Sequence, residues 1–246
     1  MADRRWAARR GHAHVSIERI RLRLHAIAFE TASVRRIDLR DPDGRALPAF
    51  RPGAHVDLKL NGGVARSYSL VGDPADASRY LLGVQRDPQS RGGSQHLCEA
   101  ARVGDLIEVS RPINNFALVE GAAASLFIAG GIGITPLRAI VEQLAADPGD
   151  VTLVYRAAYA RDVAFKDELA TLAQQSGLQL HALIGPEIGD DRTDKLGVPA
   201  LRDLVPDIAQ RDVFVCGPPA MVDALRRRLA LLGVPRRRVH FERFAY

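Results

Sequence analysis

Three glycines in four residues, Gly130, Gly131 and Gly133, stand between the apolar run Ser125 to Ala129 and a segment that opens with Thr135-Pro136. Such a run reads as a buried strand. Glycines at its end let backbone N–H groups approach a pyrophosphate at a helix N-terminus. Pro136 suits the first helical turn, where a missing N–H costs nothing. The dinucleotide fingerprint G-x-G-x-x-G is not quite met, because counting from Gly131 the third glycine is replaced by Pro136. The acidic residue expected at the end of the next strand is also absent, and Tyr155-Arg156-Ala157-Ala158 stands there instead. Arg156 and Arg161 are candidates for a 2′-phosphate, or for the pyrophosphate alone, which leaves NADH and NADPH both open. Alone, the loop also fits a glycine-rich turn that holds no ligand.

Two further stretches carry phosphate-type chemistry. Arg66-Ser67-Tyr68-Ser69-Leu70 lies on an expected strand, where alternation puts Arg66, Tyr68 and Leu70 on one face and Ser67 and Ser69 on the other. A tyrosine can cover an aromatic ring, and an arginine can grip a phosphate with two parallel hydrogen bonds. An ordinary amphipathic strand fits equally. Arg91-Gly92-Gly93-Ser94 opens a short helix, with Ser94 read as its N-cap. A plain helix cap fits as well. Two such sites in different halves of the chain favour a nucleotide-bearing prosthetic group together with a dinucleotide.

The elements that must position these residues change rhythm half-way. Ile17 to Glu30, Ser33 to Leu39, His55 to Leu60, Ala65 to Val71, Tyr80 to Gln85 and Leu106 to Ser110 read as short strands. Asp41-Pro42-Asp43-Gly44 and Asn61-Gly62-Gly63 read as turns, and one helix lies near Ser94 to Ala101. This spacing predicts an antiparallel barrel over 15–120. From 121 to 246 strands alternate with helices. The strands are Ser125 to Ala129, Val151 to Tyr155, Leu178 to Leu183 and Val213 to Cys216; the helices include Pro136 to Ala146, Ala164 to Gln175 and Ala220 to Leu232. That alternation predicts a Rossmann-like parallel sheet with helices on both faces. The boundary is expected near 117–123. A barrel holding one ligand beside a sheet holding another suits a transfer reaction at their interface.

Composition narrows the classes. The chain has 246 residues, 47% hydrophobic and 26% charged, and a formal net charge of +5. No apolar run approaches the ~18–20 residues that span a bilayer, so no membrane association is expected. Residues 1–14 carry Arg4, Arg5, Arg9 and Arg10 without an apolar stretch. They read as a disordered basic arm rather than a secretory signal, and the expected compartment is the cytoplasm. The arginines are spread along the chain. A nucleic-acid surface would concentrate them with interleaved aromatics, so no nucleic-acid partner is expected. Two cysteines, Cys98 and Cys216, cannot supply a four-cysteine metal site or iron–sulfur cluster.

Taken in order, Arg66-Ser67-Tyr68-Ser69-Leu70, Arg91-Gly92-Gly93-Ser94, Gly130 to Pro136, Cys216-Gly217-Pro218-Pro219 and Phe241-Glu242-Arg243-Phe244 resemble the ferredoxin–NADP reductase superfamily. They look most like its phthalate dioxygenase reductase and vanillate demethylase reductase branch. The resemblance covers about residues 15–246. It implies that Arg66, Ser67, Tyr68 and Ser69, with Gly83 and Val84, contact a flavin. Arg91, Gly92, Gly93 and Ser94 then hold its phosphate, which favours FMN over FAD. It implies that Gly131, Gly133, Thr135, Pro136 and Arg156 face NADH or, as the alternative, NADPH. Cys216, Gly217 and Pro218 then lie near the nicotinamide, and Phe244 or Tyr246 covers the flavin ring. Cys216, Tyr68 and Ser69 are the residues expected at the reacting centre, although an inert buried thiol is the other reading of Cys216. The hydride step itself belongs to the cofactor and requires alignment rather than an acid or base.

Members of that branch continue past the Phe-Glu-Arg-Phe segment into a plant-type [2Fe–2S] ferredoxin domain, whereas this sequence stops at Tyr246. The expected acceptor is therefore a separate ferredoxin or oxygenase component, with a small acceptor or a fragmentary chain as the other readings. A monomer is expected. Two competing functions are a free-standing flavin or ferric reductase and a non-catalytic nucleotide-binding redox sensor.

Overall fold

The computed structural model describes residues 18–60, 63, 65–89, 92–118, 124–145, 150–185 and 194–244. The expected basic arm, Asn61-Gly62, Arg91, Tyr246 and most of the expected boundary segment lie outside them.

Six antiparallel strands build the first half: β1 (Arg19–Phe29), β2 (Val34–Arg40), β3 (His55–Lys59), β4 (Ala65–Ser69), β5 (Tyr80–Gln85) and β6 (Leu106–Ser110). They lie in the order β4-β3-β6-β1-β2-β5. Leu22 and Leu24 on β1, Ile37 and Leu39 on β2, Val56 and Leu58 on β3, and Leu82 and Val84 on β5 share one apolar core. A slip of one residue would turn each of these sets to solvent, so the alternation fixes the register. The two end strands meet at one place. Leu70 bridges Leu82, and the Val71 N–H donates to the Leu81 carbonyl at 2.9 Å. Beyond that bridge no ladder joins β4 to β5, and the barrel keeps an open seam there.

One local expectation is corrected. Ser94 is not an N-cap. The helix starts earlier, from Gly92 in a left-handed conformation (φ 100°), as α1 (Gly93–Gln95), and widens into a π-turn over His96–Ala100. Ser94 falls inside the first turn, where its hydroxyl accepts the Asp87 N–H at 3.2 Å and ties the turn back to the exit of β5.

The second half contains β7 (Ala124–Gly130), α2 (Ile134–Ala145), β8 (Asp150–Ala157), α3 (Lys166–Gln175), β9 (Gln179–Ile184), α4 (Val198–Leu204), β10 (Asp212–Gly217), α5 (Pro219–Leu231) and β11 (Val239–Arg243). All five strands are parallel, in the order β11-β10-β7-β8-β9. Period two sorts their side chains. Phe127, Leu153, Tyr155, Phe214 and Cys216 face one core; Leu126, Ile128, Val154, Val213 and Val215 face the other. The chain leaves β7 toward β8 and later returns on its other side with β10. That reversal opens a crevice at the carboxyl ends of β7 and β10, where sheets of this class bind ligands. No helix among the described residues is long and apolar enough to cross a membrane.

The two halves share a core. Val34, Val71 and Phe116 join the first of those clusters, and the Phe116 ring meets Phe214 edge-on at 5.7 Å.

Candidate functional site

A cavity of about 400 Å³ lies where the barrel seam faces the crevice of the parallel sheet. One wall is the seam itself: Ala65 to Ser69 of β4 opposite Gly83 and Gln85 of β5, with His55, Asp87 and Ser94. The other wall is Ile132, Thr135, Glu242, Arg243 and Phe244. Because β4 borders an open seam, residues from both of its faces reach the cavity. Alternation alone would have admitted only one set.

Glycines set the close approaches. A Cβ on Gly93 would lie 2.7 Å from Cγ of Arg66 and 3.2 Å from the Tyr68 hydroxyl, so the start of α1 rests on those two side chains. Burial pushes the Tyr68 phenol well above its usual range, which keeps it neutral and available as a hydrogen-bond donor. A Cβ on Gly83 would lie 2.7 Å from Cγ2 of Thr135, which brings β5 against the glycine turn of the other half.

Of the dinucleotide set, only Thr135 lines the cavity. Gly131 has φ +54° and open space beside it, whereas a Cβ on Gly133 would lie 2.2 Å from the Cys216 carbonyl oxygen and 2.8 Å from Cα of Gly217. Both obstacles are backbone and cannot swing away. Gly133→Ala is therefore expected to lower stability by about 1–3 kcal/mol through overpacking, measured as a lower midpoint in urea unfolding at unchanged slope.

Cys216, Val84, Gly92, Gly93, Pro136, Arg156, Gly217 and Pro218 are not among the residues that line the cavity. The Cys216 side chain is fully buried in the core, and burial raises its thiol well above the usual range, so it is a neutral, apolar group rather than a nucleophile. Arg156, at the end of β8, donates to Asp194 at 3.1 Å. Arg161 lies over the Tyr159 ring at 4.5 Å. Phe244 lines the cavity and is tethered through its N–H to the Gly217 carbonyl at 3.4 Å. Arg91 and Tyr246 lie outside the described residues.

Seven lining residues escaped the sequence reading: His55, Ala65, Gln85, Asp87, Ile132, Glu242 and Arg243. Glu242 matters most. It pairs in register with Cys216 across β10 and β11, and its Oε2 is buried with no hydrogen-bond partner among the described residues. A buried acceptor left unmade is costly, and at a cavity wall it fits a ligand that brings a donor, such as a carboxamide N–H. Its signal was available, since it stands inside the quoted Phe241–Phe244 segment.

Burial holds the Glu242 carboxyl above the usual carboxylate range. The folded protein then binds this proton more tightly than the unfolded chain. Stability falls as pH rises from the unfolded value of about 4.3 through the raised folded one. Glu242→Gln removes that loss. The variant is expected to have a higher Tm than the parent at about pH 7, and the difference should close below about pH 4. Thermal scans across this range check both the sign and the window.

Comparison with known proteins places this geometry. Residues 127–227 match the family model of the oxidoreductase NAD-binding domain. The chain is 44% identical over 226 residues to phenoxybenzoate dioxygenase subunit beta of Ectopseudomonas oleovorans, covering 92% of this chain and 67% of that one. Among solved structures, phthalate dioxygenase reductase superposes with a TM-score of 0.79 at 31% identity, over 92% of this chain and 68% of that one. The flavohaem-like FAD/NAD binding domain of nitric oxide dioxygenase from Vibrio cholerae O1 biovar El Tor gives a TM-score of 0.79 at 26% identity, over 91% of this chain and 98% of that one. The chain spans about two thirds of the length of the curated oxygenase-reductase relatives it matches. With a seamed antiparallel barrel set against a parallel sheet around one cavity, the chain belongs to the ferredoxin–NADP reductase superfamily, in the branch of the phthalate dioxygenase and vanillate demethylase reductases.

Proposed function

We propose that this chain is the flavin- and nicotinamide-binding unit of an oxygenase reductase. It takes a hydride from NADH and passes single electrons to a separate [2Fe–2S] ferredoxin or oxygenase component. The observation that carries this reading is the shared cavity: Arg66, Tyr68 and Ser94 from the barrel face Ile132, Thr135 and Glu242 from the parallel sheet across it. A bound flavin supplies the conversion of a two-electron donor into a one-electron source.

The chain's own residues bind and align. Arg66 and the backbone N–H groups at the start of α1 would hold the flavin phosphate, and Tyr68, Ser69 and Phe244, which line the cavity, would contact its ring and exclude water from it. Glu242 accepts a hydrogen bond from the carboxamide of the incoming nicotinamide. Cys216 and Gly133 form the backing against which the glycine turn is fixed. The compact fit of Gly93 on Arg66 and Tyr68 supports FMN, with FAD as the alternative. The engagement of Arg156 by buried Asp194 supports NADH, since that arginine already serves a carboxylate. The flavin unit is assigned to 15–120 and the dinucleotide unit to 121–246.

The test begins by releasing the flavin and identifying it by chromatography. Anaerobic stopped-flow reduction with NADH and with NADPH follows, then electron delivery to a plant-type [2Fe–2S] ferredoxin. The reading requires flavin bleaching by NADH at a rate above that with NADPH. Protein that holds neither FMN nor FAD after incubation with each would sink it.

A further inference from the structure

Phe165 is the one non-glycine residue among those described with a left-handed backbone (φ 59°), and its ring is buried. It immediately precedes α3, in a conformation that L-residues adopt only where the surroundings over-determine it. Those surroundings come from the barrel. The Phe165 N–H donates to Oε1 of Glu30, just past β1, at 2.7 Å. Oε2 of Glu30 accepts from Arg36 of β2 at 2.6 Å, and the same Arg36 nitrogen reaches Glu168 of α3 at 2.6 Å. Glu168 also pairs with Arg138 of α2 at 2.7 Å, and Arg138 donates back to the Val71 carbonyl of the barrel. Both guanidiniums lie 5.3 Å from the centre of the Phe165 ring, within the range of cation–π attraction.

Three hydrogen bonds thus cross between the halves around a single ring: Phe165 to Glu30, Arg36 to Glu168, and Arg138 to Val71. That ring also packs against β5, beside Thr135. A Cβ on Gly83 would lie 3.2 Å from Cζ of Phe165 and 2.7 Å from Thr135. Gly83 and Thr135 line opposite walls of the cavity.

We propose that Phe165, with Glu30, Arg36, Glu168 and Arg138 around it, is a clamp that holds Gly83 against Thr135 where the two cavity walls touch, and so sets the spacing of the walls that positions the nicotinamide against the flavin. This rests on the function proposed above. The five are positioning residues, since they act through the two walls and lie outside the cavity.

The test compares Glu30→Ala with Glu30→Gln in the full chain, loaded with its flavin. Glutamine keeps an acceptor for the Phe165 N–H, whereas alanine does not. Single-turnover flavin reduction at saturating NADH is expected to slow about 10- to 100-fold in Glu30→Ala, with a weaker charge-transfer absorbance. Flavin content should stay near that of the parent while Tm falls because the Phe165 N–H is left without its acceptor, and Glu30→Gln should recover most of both the rate and the Tm. In flavin-free protein, hydrogen exchange at the Phe165 amide is expected to quicken in the alanine variant and stay slow in the glutamine one. Should Glu30→Ala fail to fold, Glu168→Ala, which breaks the bonds to Arg36 and Arg138, is read in the same way. Reduction rates within roughly twofold of the parent, or a loss of rate that only follows a loss of flavin, would overturn the clamp. Parent protein that binds no flavin at all overturns the proposed function instead, and is recognised before any variant is made.

Discussion

Asp194→Asn is expected to destabilise the protein by about 3–5 kcal/mol, the usual cost of removing one partner from a buried ion pair. Asp194 is fully buried at the side chain and is shared by two guanidiniums. Arg228 of α5 donates to its Oδ2 at 2.7 Å, and Arg156 of β8 to its Oδ1 at 3.1 Å. The Arg228 side chain is buried at 9% exposure and that of Arg156 is 11% exposed. Asparagine keeps the shape and one acceptor oxygen but takes from both cations the charge they share. Oδ1 also accepts the Leu196 N–H at 3.0 Å, so the entry into α4 loosens too. The measurement is urea unfolding of the parent, Asp194→Asn, Arg228→Met and the double variant. The double should be less destabilised than the sum of the singles, because without Arg228 the lost carboxylate is missed by one cation fewer. Additive losses would show that Asp194 acts only through its turn. Because Arg156 leaves the end of β8, where sheets of this type place a ribose-binding acid, the same variant should also weaken NADH binding.

Much of this arrangement is legible in the sequence because its cause is local. Alternating burial writes β1 into the residue order, continuous apolar runs buried on both faces write β7 and β10, and the glycine turn after β7 announces the crevice. What stays hidden is created by pairing over long distances. Glu242 has no role in the sequence reading beyond its segment, and only the docking of β11 beside β10 sets it against Cys216. Phe165 reads as one apolar position in a helix, and only the carboxylate of Glu30, 135 residues earlier, holds it left-handed. Ser94 fits a cap by type, yet Gly92 reaches a backbone region open to glycine and starts the helix first. The alternation along β4 predicts two separate faces, and the seam between β4 and β5 turns them into one cavity wall.

Arg66→Ala is expected to weaken FMN binding about 100-fold, the equivalent of one lost pair of charge-assisted hydrogen bonds. The stem of Arg66 is pressed by the start of α1 at Gly93, and one of its guanidinium nitrogens donates to the Ala65 carbonyl at 2.9 Å. The guanidinium is thus partly held before any ligand arrives, beside the cavity that Arg66 lines. Pre-organisation of that kind makes a truncation expensive, since little ordering entropy is returned. Arg66→Lys should fall between parent and alanine, because an ammonium keeps the charge and loses the planar fork. Fluorescence titration with FMN and with riboflavin, which lacks the phosphate, separates the phosphate contact from general damage to the cavity. The parent should prefer FMN strongly, and Arg66→Ala should bind the two almost alike, with riboflavin affinity close to that of the parent. If the parent itself binds riboflavin as tightly as FMN, Arg66 does not hold a phosphate. The seam between β4 and β5 would then recognise the ring alone.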